Sequence, residues 1–169
     1  CKSIVLEKGR EAISCEWEMS DSLKSAVDKY VRLSEETGFR PKLQQVATPF
    51  IDNSTVDPDE GLETGTLGPI AASILMQVLY VARLARFDLL KPIALLASKI
   101  TKWTRRCDKQ LNRLMSYVNC TLQDTMMGYI VDSIDDLHLE LYSDADFAGD
   151  LSTRKSTTGI FLALAGPNS

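Results

Sequence analysis

Residues 137–150, Leu-His-Leu-Glu-Leu-Tyr-Ser-Asp-Ala-Asp-Phe-Ala-Gly-Asp, hold the side chains best suited to chemistry. Asp144, Asp146 and Asp150 sit among small residues, Ala145, Ala148 and Gly149, which leave room for a substrate backbone. If the preceding alternation of Leu137, Leu139 and Leu141 makes a strand, residues 144 and 146 share one face and Ala145 points away. Carboxylates held this way serve two-metal phosphodiester chemistry, in which the ions stand about 3.5–4 Å apart. One or two acids on one strand cannot build that cage. On pattern alone, a loop rich in Asp for turn and solvent reasons is the plainer account.

A second candidate is the basic run at 99–113. Lys99, Lys102, Arg105, Arg106, Lys109 and Arg113 face a single acid, Asp108, with Trp103 among them. Such a run can track phosphates while the aromatic packs or stacks. A solvated helix face with Trp103 in the core is the commoner explanation. His138 has no partner histidine and no neighbouring nucleophile motif, so it reads as a structural or surface residue. No nucleophile elbow, P-loop or dinucleotide fingerprint occurs.

The elements that must position these residues are legible from composition and period. The chain has 169 residues, 44% apolar and 25% charged, as soluble globular proteins do. A net charge of -4 excludes a surface built entirely for nucleic acid but leaves room for a local basic face. Four scattered cysteines with one histidine make a structural zinc site improbable. With no secretory signal in view, reduced thiols and an intracellular setting are expected. The first residue is Cys1, which points to a fragment or a processed piece.

Two alternating runs around Lys8-Gly9-Arg10 predict a hairpin over 3–19. Ser20 or Asp21 is expected to cap a helix carrying Leu23, Ala26, Val27, Tyr30 and Val31, stopped at Gly38. Residues 47–68 read as a linker. Pro69 opens an apolar helix to about Ala85, buried rather than long enough to span a bilayer comfortably. Asp88 is expected to cap a second helix running through 89–103. A third starts near Thr104, with Cys107, Leu111, Leu114, Met115 and Val118 on one stripe. Strands at 125–131, 137–143 and 158–164 have short connections and should be antiparallel neighbours. The fold class is α+β: hairpin plus helix, about three central helices, then an antiparallel β segment.

The stretch 141–166, "LYSDADFAGDLSTRKSTTGIFLALAG", closely resembles the start of the ribonuclease H domain in copia-type LTR retrotransposon Pol polyproteins. The segment "LMQVLYVARLARFDLLKPIALLASKITKW" and Val46-Ala-Thr-Pro-Phe50 are similar to the region that precedes it there. Where that family has Arg-Pro-Asp and Lys-Gly-Thr, this chain has Arg86-Phe87-Asp88 and Asn119-Cys120-Thr121. The resemblance implies that 1–46 ends a polymerase region, 47–68 links, 69–122 is a helical connection, and 123–169 begins an incomplete ribonuclease H-like sheet. It makes Asp144 the first metal-binding, catalytic aspartate, with Asp146, Asp150, Ser156, Thr157 and Gly159 as motif-supporting residues. The polymerase aspartates would lie upstream of Cys1 and the remaining acids beyond Ser169. The parent would use Mg2+ on an RNA–DNA hybrid, with other Pol segments as partners and no membrane. This chain alone is expected to bind Mg2+ weakly and to be inactive. A domesticated, non-catalytic interaction module is the alternative.

Overall fold

The computed structural model describes residues 2–5, 11–51, 63–146 and 156–169. They combine four α-helices with two small sheets and fall into two units, Trp17–Met126 and Cys1–Glu16 with Met127–Ser169.

Helices make the first unit. α1 (Ser20–Glu36) buries Leu23, Ala26, Val27 and Tyr30 of the expected stripe, with Val31 partly buried against the same core. Its N-cap is Met19 and no side chain caps it, so neither Ser20 nor Asp21 plays that part; the Ser20 hydroxyl bonds Glu18 instead. At the other end Gly38 takes φ +82°. Phe39 N–H donates to Ser34 C=O and Gly38 N–H to Glu35 C=O, each at 3.0 Å. This is the paired closure that a left-handed glycine permits at a helix end.

α2 (Gly68–Leu84) has Pro69 in its first turn, where a missing N–H costs nothing. By length and hydropathy alone Gly68–Ala85 is sufficient for a membrane span, longer than the sequence reading allowed. One side of it supplies Ala71, Ile74, Leu75, Val78, Val81 and Ala82 to the core shared with α1 and the later helices.

The next helix is shorter than expected. A 3-10 turn at Phe87–Leu89 leads into α3 (Leu90–Ala97), and a second 3-10 turn at Ile100–Lys102 follows. Asp88 does not cap α3, because its carboxylate is taken by Arg86. α4 (Arg105–Cys120) turns Cys107, Leu111, Leu114, Met115 and Val118 inward as its period requires.

Strands make the second unit. β1 (Lys2–Val5) and β2 (Glu11–Trp17) are antiparallel, with Lys2 opposite Ser14 and Val5 opposite Glu11; the turn expected at Lys8-Gly9-Arg10 lies outside the described residues. β3 (Met126–Ile130) joins this sheet in the order β1-β2-β3, rather than pairing with the strand that follows it. A 3-10 turn at Ile134–Asp136 intervenes. Only β4 (His138–Asp146) and β5 (Thr157–Ala165) form the expected antiparallel pair, a two-stranded sheet of their own. The β segment is thus two separate small sheets.

Candidate metal-ligand hairpin and basic helix face

The register of β4 and β5 runs without a bulge from His138 opposite Ala165 to Asp146 opposite Thr157. Alternation divides it into two faces. One carries Leu139 and Leu141 with Leu164, Leu162 and Ile160, all more than half exposed. The other carries His138, Glu140, Tyr142 and Asp144, across from Ala165, Ala163, Phe161 and Gly159.

At the end of that second face Asp144 is exposed and opposite Gly159. A Cβ on Gly159 would meet only the Asp144 carbonyl oxygen, at 3.9 Å, so space does not demand a glycine there. The backbones of Asp146 and Thr157 pair one step further on, and Ser156 is exposed just before β5. Asp150 lies outside the described residues. Asp144, Asp146, Thr157 and Gly159 are therefore brought to one end of one hairpin. Among the described residues no group of three or more acids, histidines or cysteines could hold a metal ion.

The sequence reading missed what His138 does. Its Nε2 lies 3.1 Å from Glu140 Oε1, and the Tyr142 hydroxyl donates to Glu140 Oε2. These bonds, Tyr142 first and His138 second, hold the Glu140 carboxyl below its ordinary range, and Glu140 in turn pushes the Tyr142 phenol up. The signal was present: three polar residues at i, i+2 and i+4 share a strand face.

In the helical unit the basic run resolves into two roles. Trp103 is 7% exposed and Asp108 2%. The indole N–H donates to Asp108 Oδ1 at 2.7 Å. The same carboxylate accepts from Thr66 N–H at 2.7 Å and Leu67 N–H at 2.9 Å. A carboxylate just ahead of the first turn of α2 also opposes the helix dipole favourably. Trp103 is thus a core residue and offers no stacking platform. Residues 63–67, expected to end a linker, are bound here too: Gly65 N–H donates to Trp103 C=O and Arg105 N–H to Glu63 C=O.

The cations point outward to differing degrees. Lys102, Arg105 and Lys109 are exposed, whereas Lys99, Arg106 and Arg113 are half-buried. At about 100° per residue, Arg105, Arg106, Lys109 and Arg113 fall within an arc of about 100° on α4. Arg105 is paired with Glu63 at the surface. Arg113 Nε donates to Thr48 C=O at 2.8 Å.

A further cluster joins the tripeptide Arg86-Phe87-Asp88 to Thr121. Arg86, 4% exposed, donates to both Asp88 carboxylate oxygens at 3.0 and 2.8 Å. It also donates to the Thr121 C=O at 2.7 Å and hydroxyl at 2.8 Å. The Tyr117 hydroxyl donates to Asp88 Oδ2 at 3.0 Å. Burial works against ionisation of Asp88, but the Arg86 guanidinium outweighs it and holds the carboxyl below its ordinary range. Arg86 therefore ties the end of α2 to Thr121, the residue that closes α4, a structural role.

No protein-family model, curated protein or solved structure matches this chain.

Proposed function

We propose that this chain is a segment of a copia-type LTR retrotransposon Pol polyprotein, running from the end of the reverse transcriptase region into the start of the ribonuclease H domain. In that reading the helical unit contacts nucleic-acid phosphates through α4, and the hairpin β4–β5 is the opening of the ribonuclease H sheet. Asp144 is its first metal-binding acid. What supports the reading is that Asp144, Asp146, Thr157 and Gly159 fall at one end of the β4–β5 pair, with Asp144 and Gly159 opposite each other. Hydrolysis of an RNA strand requires metal ions to activate water and stabilise the leaving oxygen. Asp144 supplies one oxygen ligand toward that, so the chain alone does not cleave. The purified chain should therefore leave an RNA–DNA hybrid intact in Mg2+. Cleavage that disappears in Asp144→Asn would overturn the inactivity.

Binding is the direct test of the positive part. Hybrid affinity should fall steeply with salt and weaken in Lys102→Gln with Lys109→Gln, two exposed cations. A second reading, a non-catalytic module for protein contact, draws on the exposed aliphatic face of Leu139, Leu141, Ile160, Leu162 and Leu164. Hybrid binding that is absent at low salt would favour it.

A further inference from the structure

Charge is distributed unevenly along the chain. Residues 38–51 contain Arg40 and Lys42 and no acid. Residues 89–123 contain seven cations, the six of the basic run and Lys91, and one acid, Asp108. That acid is buried and bonded to two backbone N–H groups and an indole, and Glu63, from outside the segment, pairs with Arg105. Nine of the 19 lysines and arginines are thus gathered in two segments of a chain with a net charge of -4.

The fold lays one segment on the other. Residues 39–50 carry no helix or strand and form a strap held along α4. Asn112 Nδ2 donates to Lys42 C=O at 3.1 Å, Gln44 N–H donates to Ser116 Oγ at 3.3 Å, and Cys120 Sγ donates to Gln44 C=O at 3.4 Å. Arg113 holds Thr48 further along. At about 100° per residue, positions 112, 116 and 120 fall on the same side of α4 as Arg105, Lys109 and Arg113. The strap therefore continues the basic face instead of covering a different one. Lys42 is fixed by its backbone within one turn of Lys109, and both Arg40 and Lys42 are exposed.

We infer that Arg40 and Lys42 on the strap, together with Lys102 and Lys109, form one composite phosphate-binding surface for a nucleic-acid duplex. This rests on the proposed nucleic-acid contact and extends it to a second segment. From Arg105 to Arg113 the helix rises about 12 Å, the axial length of about three to four phosphates of one strand. The strap widens that single row. Because Trp103 is buried, the surface holds backbone rather than stacked bases, and binding should be indifferent to sequence.

The test uses the full chain and a fluorescent 20-base-pair RNA–DNA hybrid titrated between 50 and 250 mM salt. Each phosphate contact contributes a slope of about -0.9 in log affinity against log salt. Arg40→Gln with Lys42→Gln should flatten the slope by about 2 and weaken binding about tenfold or more at low salt. The charge reversals Arg40→Glu with Lys42→Glu should weaken it further, while Lys24→Gln with Arg83→Gln, away from the strap and α4, should match the parent. If the parent binds and Lys102→Gln with Lys109→Gln weakens it but the strap variants do not, the composite surface is wrong and the nucleic-acid reading stands. If the parent does not bind at all, both fall. Equal affinity and slope for polyglutamate would assign the surface to an acidic protein and overturn the inference.

Discussion

Removing the Asp108 carboxylate isolates the contribution of one buried acid. Asp108→Ala leaves three donors without their acceptor: the N–H groups of Thr66 and Leu67 and the indole of Trp103. A buried donor left unsatisfied costs about 1–3 kcal/mol. Thr66 is partly reachable by water and counts near the low end, whereas Leu67 and Trp103 are buried. The sum is about 4 kcal/mol, a large part of the ~5–15 kcal/mol that stabilises a typical domain. Urea unfolding followed by Trp103 emission in a Trp17→Phe background reads the helical unit alone. With a slope of about 2 kcal/mol/M the midpoint should drop by about 2 M. Followed by helical circular dichroism instead, Trp103→Phe should be milder, and adding it to Asp108→Ala should cost less than the two separate losses combined, because the bond is then already gone. A loss below about 1 kcal/mol in Asp108→Ala would show that these donors find other partners, and would refute the carboxylate as the tie between α2 and α4.

Acid stability should depend on Asp88. Its carboxyl is held below its ordinary value of 3.8 by Arg86, so the stabilisation is complete above that value and is lost as pH falls through the lower folded value. Because the Asp88 side chain is 39% exposed, solvent screening keeps the effect small; Asp88→Asn should flatten the acid limb of a thermal-melting pH series without changing its neutral-pH shape. Arg86→Met should cost about 1–3 kcal/mol in urea, chiefly because the Thr121 carbonyl loses its donor, the Asp88 charge left behind being partly open to solvent. Two glycines should behave in opposite ways. Gly65→Ala places a Cβ 2.5 Å from the Thr104 carbonyl oxygen and should lower the melting temperature by several degrees. Gly159→Ala meets nothing closer than 3.9 Å and should leave circular dichroism and melting unchanged.

Local rules account for what the sequence revealed. The stripes of α1 and α4 were legible because a 3.6-residue period repeats within each segment, α2 because it is apolar throughout, and the strand that leads into Asp144 because Leu137, Leu139 and Leu141 alternate. Ties across the chain were hidden. Asp108 reaches back to Thr66 and Leu67, and Arg86 reaches forward to Thr121; neither separation leaves a periodic trace. The pairing of β3 with β2 was misjudged because short connections favour neighbours in sequence, yet β3 joined a sheet begun at the other end of the chain. The expected cap at Asp88 failed for a related reason: an arginine two residues earlier competes for the same carboxylate more strongly than backbone N–H groups do. At the candidate site the face of Asp144 could be read, but its pairing with Gly159 and the bonds of His138 and Tyr142 to Glu140 needed the fold in place.

The hairpin has a thermodynamic consequence. Heat capacity of unfolding and denaturant sensitivity both scale with apolar surface that the native state hides and the unfolded state exposes. Leu139, Leu141, Ile160, Leu162 and Leu164 are already more than half exposed when β4 and β5 are paired. Melting this sheet releases little new surface, so its transition is broad and thermally faint. A calorimeter sees the helices; the strand that carries Asp144 comes apart almost without a heat signature.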